Sequence, residues 1–320
     1  MDSNPEMLLS RVAEHVYWAG RYLERAEATA RLVRTHTELF IDLPRSVGLG
    51  WTPLLAVTGS DEAYRDVGTS FVEDEIVPFL LADPEHHSSV VTSVGQAREN
   101  LRVTRALLPR RSWEVVNEMH SWVKATSNRG CARSARLMWT EDVIRRCHLV
   151  SGSVNATMSR DYAYSFLMLG RHIERADMTT RVLDVQAGIM MDNPTEALLP
   201  YADLTWMSML RSLGGEQMFR RMSGGMVSGH GAVQFLLRET TFPRSVEHCL
   251  IETSRWLLEL PHQETPMAGC AAVQQQLEAV DLSDVSIDEL HALVDELQEG
   301  LATLHGQVAE TYFLSSRVAA

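Results

Sequence analysis

GRYLERAEATAR, residues 20 to 31, and GRHIERADMTTR, residues 170 to 181, share Gly, Arg, Glu, Arg, Ala and the final Arg at a constant offset of 150. A second pair follows in the same order: FLLADPEHHSSV at 79 to 90 aligns with FLLRETTFPRSV at 235 to 246, keeping FLL and Ser-Val at an offset of 156. Even the lead-ins agree loosely, Leu9-Ser10-Arg11 against Met158-Ser159-Arg160. Internal matches at a fixed period mark a repeated structural unit. They predict two copies of one module, residues 1–150 and 151–320, related by a pseudo-twofold axis, each covering the other's apolar face. The join, Cys147-His148-Leu149-Val150-Ser151-Gly152, is too apolar for a linker, so one intertwined unit is expected.

Apolar residues recur at three- and four-residue spacing through most of the chain, and no alternating β-branched run of strand length stands out. The fold class is therefore all-α, a helical bundle. In the first helix Asn4 is placed to cap, Pro5 suits the first helical position, and Leu8, Val12, Val16, Ala19, Leu23, Ala26, Ala30 and Val33 trace a buried stripe. Further long helices are predicted over 88–107, 112–126, 140–157, 161–187, 244–260 and 286–315. Connections are marked by Pro44 to Gly50, Asp83-Pro84, Asn193-Pro194, Phe242-Pro243 and Pro261.

The 320 residues are 45% hydrophobic and 22% charged, enough to bury a sizeable core without disulfides or metal staples. Four cysteines never approach CxxC spacing and read as buried thiols in a reducing compartment. The start, MDSNPEMLLSRVAEHVYW, has no basic region followed by an apolar one, and no run of eighteen apolar residues occurs. The expectation is a cytoplasmic protein without a membrane span. A net charge of -13 disfavours nucleic-acid binding, but the charge is uneven. From Arg98 to Arg146 eleven bases face five acids, whereas Trp256 to Ser316 holds eleven acids and no Lys or Arg. The basic stretch reads either as solvated helix faces or as a landing site for phosphate or carboxylate groups, which a guanidinium binds in bidentate fashion.

On a helix Arg21, Glu24 and Arg25 fall at i, i+3 and i+4, so the carboxylate lies beside Arg21 with Arg25 one turn above it. Arg31 continues the face; Arg171, Glu174, Arg175 and Arg181 repeat it. Gly20 and Gly170 sit inside a helical pattern where glycine costs about 1 kcal/mol relative to alanine, so a close approach must compensate. Two readings stay open. In one, the Glu-Arg sets meet as a buried ion-pair network joining the copies. In the other, they line a polar cavity in which arginines hold an anionic ligand and a glutamate is acid, base or amine anchor. Arg160 and Asp161 are candidates for the same cavity, and Trp18 and Tyr22 for its walls. Six arginines against two glutamates, even with Glu27 and Asp177 beside them, leave a positive centre. That surplus predicts a pocket at the interface of the motif helices, contacted by Arg21, Arg25, Arg171 and Arg175.

Other motifs are weaker. The glycine-rich segment from Gly214 to Gly231 lacks a Walker lysine and reads as a connector. No HExxH occurs, His86-His87 falls in a loop, and Asp288-x-x-His291 is only half of a di-iron helix motif, so neither metal nor cofactor is expected. No GxSxG elbow exists, and no cysteine has a local histidine.

LLSRVAEHVYWAGRYLERAEATARL, TMSRDYAYSFLMLGRHIERADMTTRVLD and FPRSVEHCL resemble the bacterial alpha-E family, a predicted α-helical domain named for its Glu-Arg motif. The resemblance runs over essentially the whole chain, through SVGQARENLRVTRALLPRRSWEVVNEMH to the closing AETYF. One departure is visible: His86-His87-Ser88 stands where the second copy has Phe242-Pro243-Arg244, so an anion contact by Arg244 has no twin. That family is similar in gene context to a set containing circularly permuted ATP-grasp proteins, transglutaminase-like proteins and Ntn hydrolases. The resemblance implies a role in peptide or amide-bond modification, with an ATP-grasp ligase and a transglutaminase-like protein as partners. Three functions remain open: a partner subunit presenting an acidic peptide or phosphate-containing substrate through an arginine-rich face; an enzyme using Glu24 or Glu174 as general acid or base; and a structural scaffold.

Overall fold

The computed structural model describes residues 10–44, 47–192, 197–283 and 285–313, and among these there is no strand. In chain order the helices are α1 (Ser10–Asp42), three short ones, α2 (Thr52–Val57), α3 (Asp61–Val67) and α4 (Glu73–Leu81), then α5 (Val90–Val103), α6 (Arg110–Cys131), α7 (Arg133–Thr157) and α8 (Tyr162–Ala187). After a π turn at Gly188–Asp192 come α9 (Ala202–Ser212), α10 (Glu216–Ser223), α11 (Gly229–Arg238), α12 (Val246–Leu258), α13 (Glu264–Ala279) and α14 (Ile287–Tyr312). No described helix is long and apolar enough to cross a membrane.

α1 packs most extensively against α8, and these two motif helices form the centre. α5, α7 and α9 also lie against α1, while α12 and α14 lie against α8. Val16, Ala19, Leu23, Ala26, Ala30 and Val33 are buried, Val12 is half-buried, and the Asn4 cap, Pro5 and Leu8 fall outside the described residues. Covered on several sides, α1 buries polar positions too, including Arg21, Glu24, Glu27 and Thr29. Such groups are costly without partners, and Arg21, Glu24 and Glu27 find theirs inside the fold.

The glycines explain how the central helices come so close. A Cβ at Gly20 would collide with the Leu167 carbonyl oxygen, and one at Gly170 with the Tyr17 carbonyl oxygen. Backbone thus meets backbone at two reciprocal points, which requires residues without side chains.

The second sequence match marks two similar helix starts. Ser89 caps α5 by accepting from the Thr92 amide and donating to the Asp83 carbonyl; Ser245 caps α12 by accepting from the His248 amide and donating to the Glu239 carbonyl. The glycine-rich segment, read as a connector, instead contains α10, ended by Gly224 in the left-handed region at φ 65°, and α11. The short helices α2 to α4, the 11-residue α9 and the 16-residue α13 lie outside the predicted helices as well. The Asn193-Pro194 connection lies outside the described residues.

Cys147, Cys249 and Cys270 are buried and Cys131 is half-buried; burial pushes the Cys249 thiol up to about 12 and that of Cys270 to about 11. These are packing thiols, protonated at neutral pH.

Candidate functional site

Where α1 crosses α8, each helix hands its glutamate to the other's arginines. Glu174, 1% exposed, accepts from Arg21 Nε at 2.6 Å and from Arg25 Nε and Nη2 at 2.5 and 3.0 Å. Glu24, 3% exposed, accepts from Arg175 Nε at 3.0 Å and Nη2 at 2.8 Å. Arg21 and Arg25 also lie over the rings of Trp18 and Tyr22, which wall the cluster as cation–π partners.

The two halves differ in the second arginine. Arg171, which aligns with Arg21, makes no carboxylate contact among the described residues; Arg244, from the turn ahead of α12, takes its place. Arg244 Nη1 donates to Glu24, and Nη2 to Glu27 Oε1 at 2.7 Å. Glu27 also receives Arg31 Nη2 at 2.5 Å and lies 3.0 Å from His148 Nε2. Among the described residues its counterpart Asp177 receives only Arg181 Nε, 3.1 Å from each oxygen.

Burial pushes the Glu174 carboxyl up, but Arg21 and Arg25 outweigh it and hold it at about 2. For Glu24, burial is likewise outweighed by Arg175 and Arg244, which hold the carboxyl below the usual range. Both carboxylates are ionised, and charge-assisted bonds at these distances make the crossing rigid.

The expected contact set of Arg21, Arg25, Arg171 and Arg175 is therefore split. Arg21 and Arg175 are committed to the glutamates, and Arg25 keeps only Nη1 without a hydrogen bond among the described residues. Arg171 turns the other way, into a cavity of about 440 Å³ at the N-terminal half of α8. There its Nη2 donates to Ser151 Oγ at 3.0 Å, while burial and the nearby Arg175 hold its pKa below the ordinary arginine value. Arg160 lines the same cavity, bonded to the Met158 and Asn155 carbonyls and to Asn155 Oδ1. Arg255 completes a trio whose only acid is Glu252, 3.4 Å from Arg255 Nη1. Asp161, expected beside Arg160, does not line this space: its carboxylate accepts from the Tyr164 amide at 3.1 Å and caps α8. Tyr164 and Trp256 form an aromatic wall, and Trp256 Nε1 and His172 Nδ1 are buried without hydrogen-bond partners among the described residues.

A second, smaller cavity lies between Arg25 and Arg181 on the opposite side of the crossing. The basic stretch from Arg98 to Arg146 is largely answered locally: Arg98 and Arg102 pair with Glu99, Arg110 and Arg111 with Glu114, Arg145 with Asp142. Arg133 and the buried Arg136 both take Glu73. Among the described residues no group of three acids, histidines or cysteines is arranged for a metal, and His291 of the half-motif bonds Asp184 at 2.5 Å.

Arg255 and Trp256 carry no local sequence signal, because they meet the motif only through packing, whereas Thr29 is shared with Thr179 in the first match. Arg244 carried a signal, as the odd residue in the second match.

The fold and this centre define a helical protein whose two copies of a Gly-Arg-x-x-Glu-Arg stretch interlock as crossed glutamate–arginine pairs. The chain belongs to the Alpha-E family, described as a predicted alpha-helical domain with a conserved ER motif, whose model matches residues 8–313. It is similar to uncharacterised proteins of Mycobacterium bovis, 23% identical over 94% of this chain, and of Mycobacterium tuberculosis, 23% identical in one strain and 22% in another. In each case the match covers 36% of the relative, so the chain spans about a third of their length. No solved structure matches it.

Proposed function

We propose that the protein is a non-catalytic helical subunit that binds an anionic group of a peptide or phosphate-containing substrate and presents it to an ATP-grasp type ligase in amide-bond modification. The observation that carries the binding part is the Arg171 cavity, where Arg160 and Arg171 have only neutral hydrogen-bond partners. Guanidinium groups with neutral partners favour an incoming carboxylate or phosphate, which they bind in bidentate fashion, and the Tyr164–Trp256 wall suits an apolar part of the same ligand. The ligase and the transglutaminase-like partner rest on the family resemblance alone.

Catalysis by Glu24 or Glu174 fits the geometry poorly. A general base works best with a pKa near the operating pH, whereas these carboxylates are held low and already accept from two arginines each. We also infer that the chain is one intertwined pair of copies, 1–150 and 151–320, about a pseudo-twofold axis. The reciprocal Gly20 and Gly170 contacts, the crossed pairs and the two serine caps support that reading.

Calorimetric titration with a hexaglutamate peptide and with inorganic phosphate tests the binding site. Losing charge-assisted bonds in Arg160→Ala plus Arg171→Ala should weaken binding by about tenfold or more, and salt should weaken it in the wild type. Equal binding by both proteins would remove the site. A pull-down with the ligase, followed by ATP turnover with and without this chain, tests the partnership.

A further inference from the structure

The cavity on the opposite side of the crossing, about 200 Å³, is lined by Arg25, Thr29, Ser88, Glu174, Asp177 and Arg181 among others. Its existence traces to one residue. Ser88 stands in the first match where Arg244 stands in the second. Arg244 reaches from the turn ahead of α12 to place its guanidinium between Glu24 and Glu27, whereas Ser88, at the turn ahead of α5, is too short to reach between Glu174 and Asp177.

A second observation concerns a threonine that the two halves share. Thr179 donates its hydroxyl to the Arg244 carbonyl oxygen at 2.8 Å. Thr29, which aligns with it, is 1% exposed, lines the cavity, and has no partner for its hydroxyl among the described residues. A buried hydroxyl left unsatisfied is unfavourable, so a ligand atom there is favoured.

The donors and acceptors left over define the ligand. Arg181 uses only Nε on Asp177, and Arg25 leaves Nη1, so three guanidinium nitrogens are free of hydrogen bonds among the described residues. Gly59, at φ 61°, keeps the end of Arg181 uncrowded: a Cβ there would lie 3.1 Å from Nη1. Asp177 accepts from a single side chain, where its counterpart Glu27 takes three. The surroundings thus offer both signs. Arg21, Arg25 and Arg181 against Glu174 and Asp177 leave one net positive charge.

We propose that this cavity binds an acidic α-amino acid, glutamate or aspartate, with its ammonium between Glu174 and Asp177 and its carboxylates on the free nitrogens of Arg25 and Arg181. The ammonium then takes the place that the Arg244 guanidinium takes on the other side. A ligand with two carboxylates and one ammonium neutralises the excess charge. The room that houses an arginine side chain in the second half suits an amino acid in the first, and Thr29 and Ser88 supply hydroxyls to it. The site is separate from the Arg171 cavity and does not depend on the function proposed for that one.

Calorimetry with L-glutamate and with N-acetyl-L-glutamate, which lacks the ammonium, tests both halves of the assignment. Wild-type protein should bind glutamate about tenfold or more tightly than the acetylated form, as expected for one charged hydrogen-bonding group. Ser88→Arg should fill the cavity and lose glutamate binding without lowering the melting temperature, while phosphate binding at Arg171 persists. Arg171→Ala should do the reverse. Asp177→Asn is the second variant, and it should abolish the preference for the free ammonium. No glutamate binding to wild type, unchanged affinity in a folded Ser88→Arg, or equal affinity for the acetylated ligand would each overturn the proposal.

Discussion

Glu174 is the residue on which most of the polar centre converges, since removing its charge strips Arg21 of its carboxylate and Arg25 of its own at once. Glu174→Gln should cost about 3–5 kcal/mol, the range for breaking one partner out of a buried pair, read as a lower thermal midpoint. Acid should reach the same interaction in the wild type. The folded carboxyl is held at about 2, below the ordinary 4.5, so its stabilisation is fully present above pH 4.5 and is lost as pH falls toward 2. The linked free energy is on the order of 3 kcal/mol. Melting temperature should therefore decline through that window, and more shallowly in Glu174→Gln; identical acid slopes would sink this account. The motif spacing made both arginine–glutamate faces legible from the sequence. Which arginine each glutamate takes was not, because Arg171 and Arg21 occupy equivalent positions and differ only in what packs beside them.

α1 and α8 owe their closeness to Gly20 and Gly170, and here the usual helix rule should invert. In an exposed helix interior Gly→Ala stabilises by about 1 kcal/mol. At these positions the new methyl meets a carbonyl oxygen of the facing helix, so Gly20→Ala and Gly170→Ala should each destabilise by about 1–3 kcal/mol or more. A rise in midpoint for either would mean the helices are not in backbone contact. Glycine inside a strong helical pattern announced such an approach in the sequence. The short helices α2 to α4, α10 and α11 gave no comparable sign, since one or two turns carry too few periodic positions to separate from a loop.

Across the whole molecule, the motif helices are buried mainly by each other and by helices from both halves of the chain, as with α9 on α1. Residues 1–150 alone would expose the apolar stripe of α1 and leave Arg21 and Arg25 without Glu174. Such a fragment should show helical circular dichroism but no cooperative melt, and mixing with 151–320 should restore one. A sharp independent transition for the 1–150 fragment would argue against a single intertwined unit. The acid-rich stretch from Trp256 to Ser316 belongs to this scale too. All of α13 and α14 lies within it; α14 packs on α13 and on α8 and buries Leu290, Leu293, Leu297, Leu301 and Leu304.

What the sequence by itself determined is the helical class, the course of most long helices, the two close approaches at glycine and an arginine–glutamate face on each motif helix. Each follows from a local pattern: a 3.6-residue period, a small residue where none is favoured, opposite charges one turn apart on one face. Only the tertiary structure decided how the arginines are shared out. Arg244 comes from 220 positions beyond Glu24 and captures it, which sends Arg171 into a separate cavity, and Ser88 leaves open the space that Arg244 fills on the other side. The physical reason is that a buried charge is assigned by whichever counter-charge can be brought to it in three dimensions, and that depends on the packing of distant turns, which no spacing along the chain records.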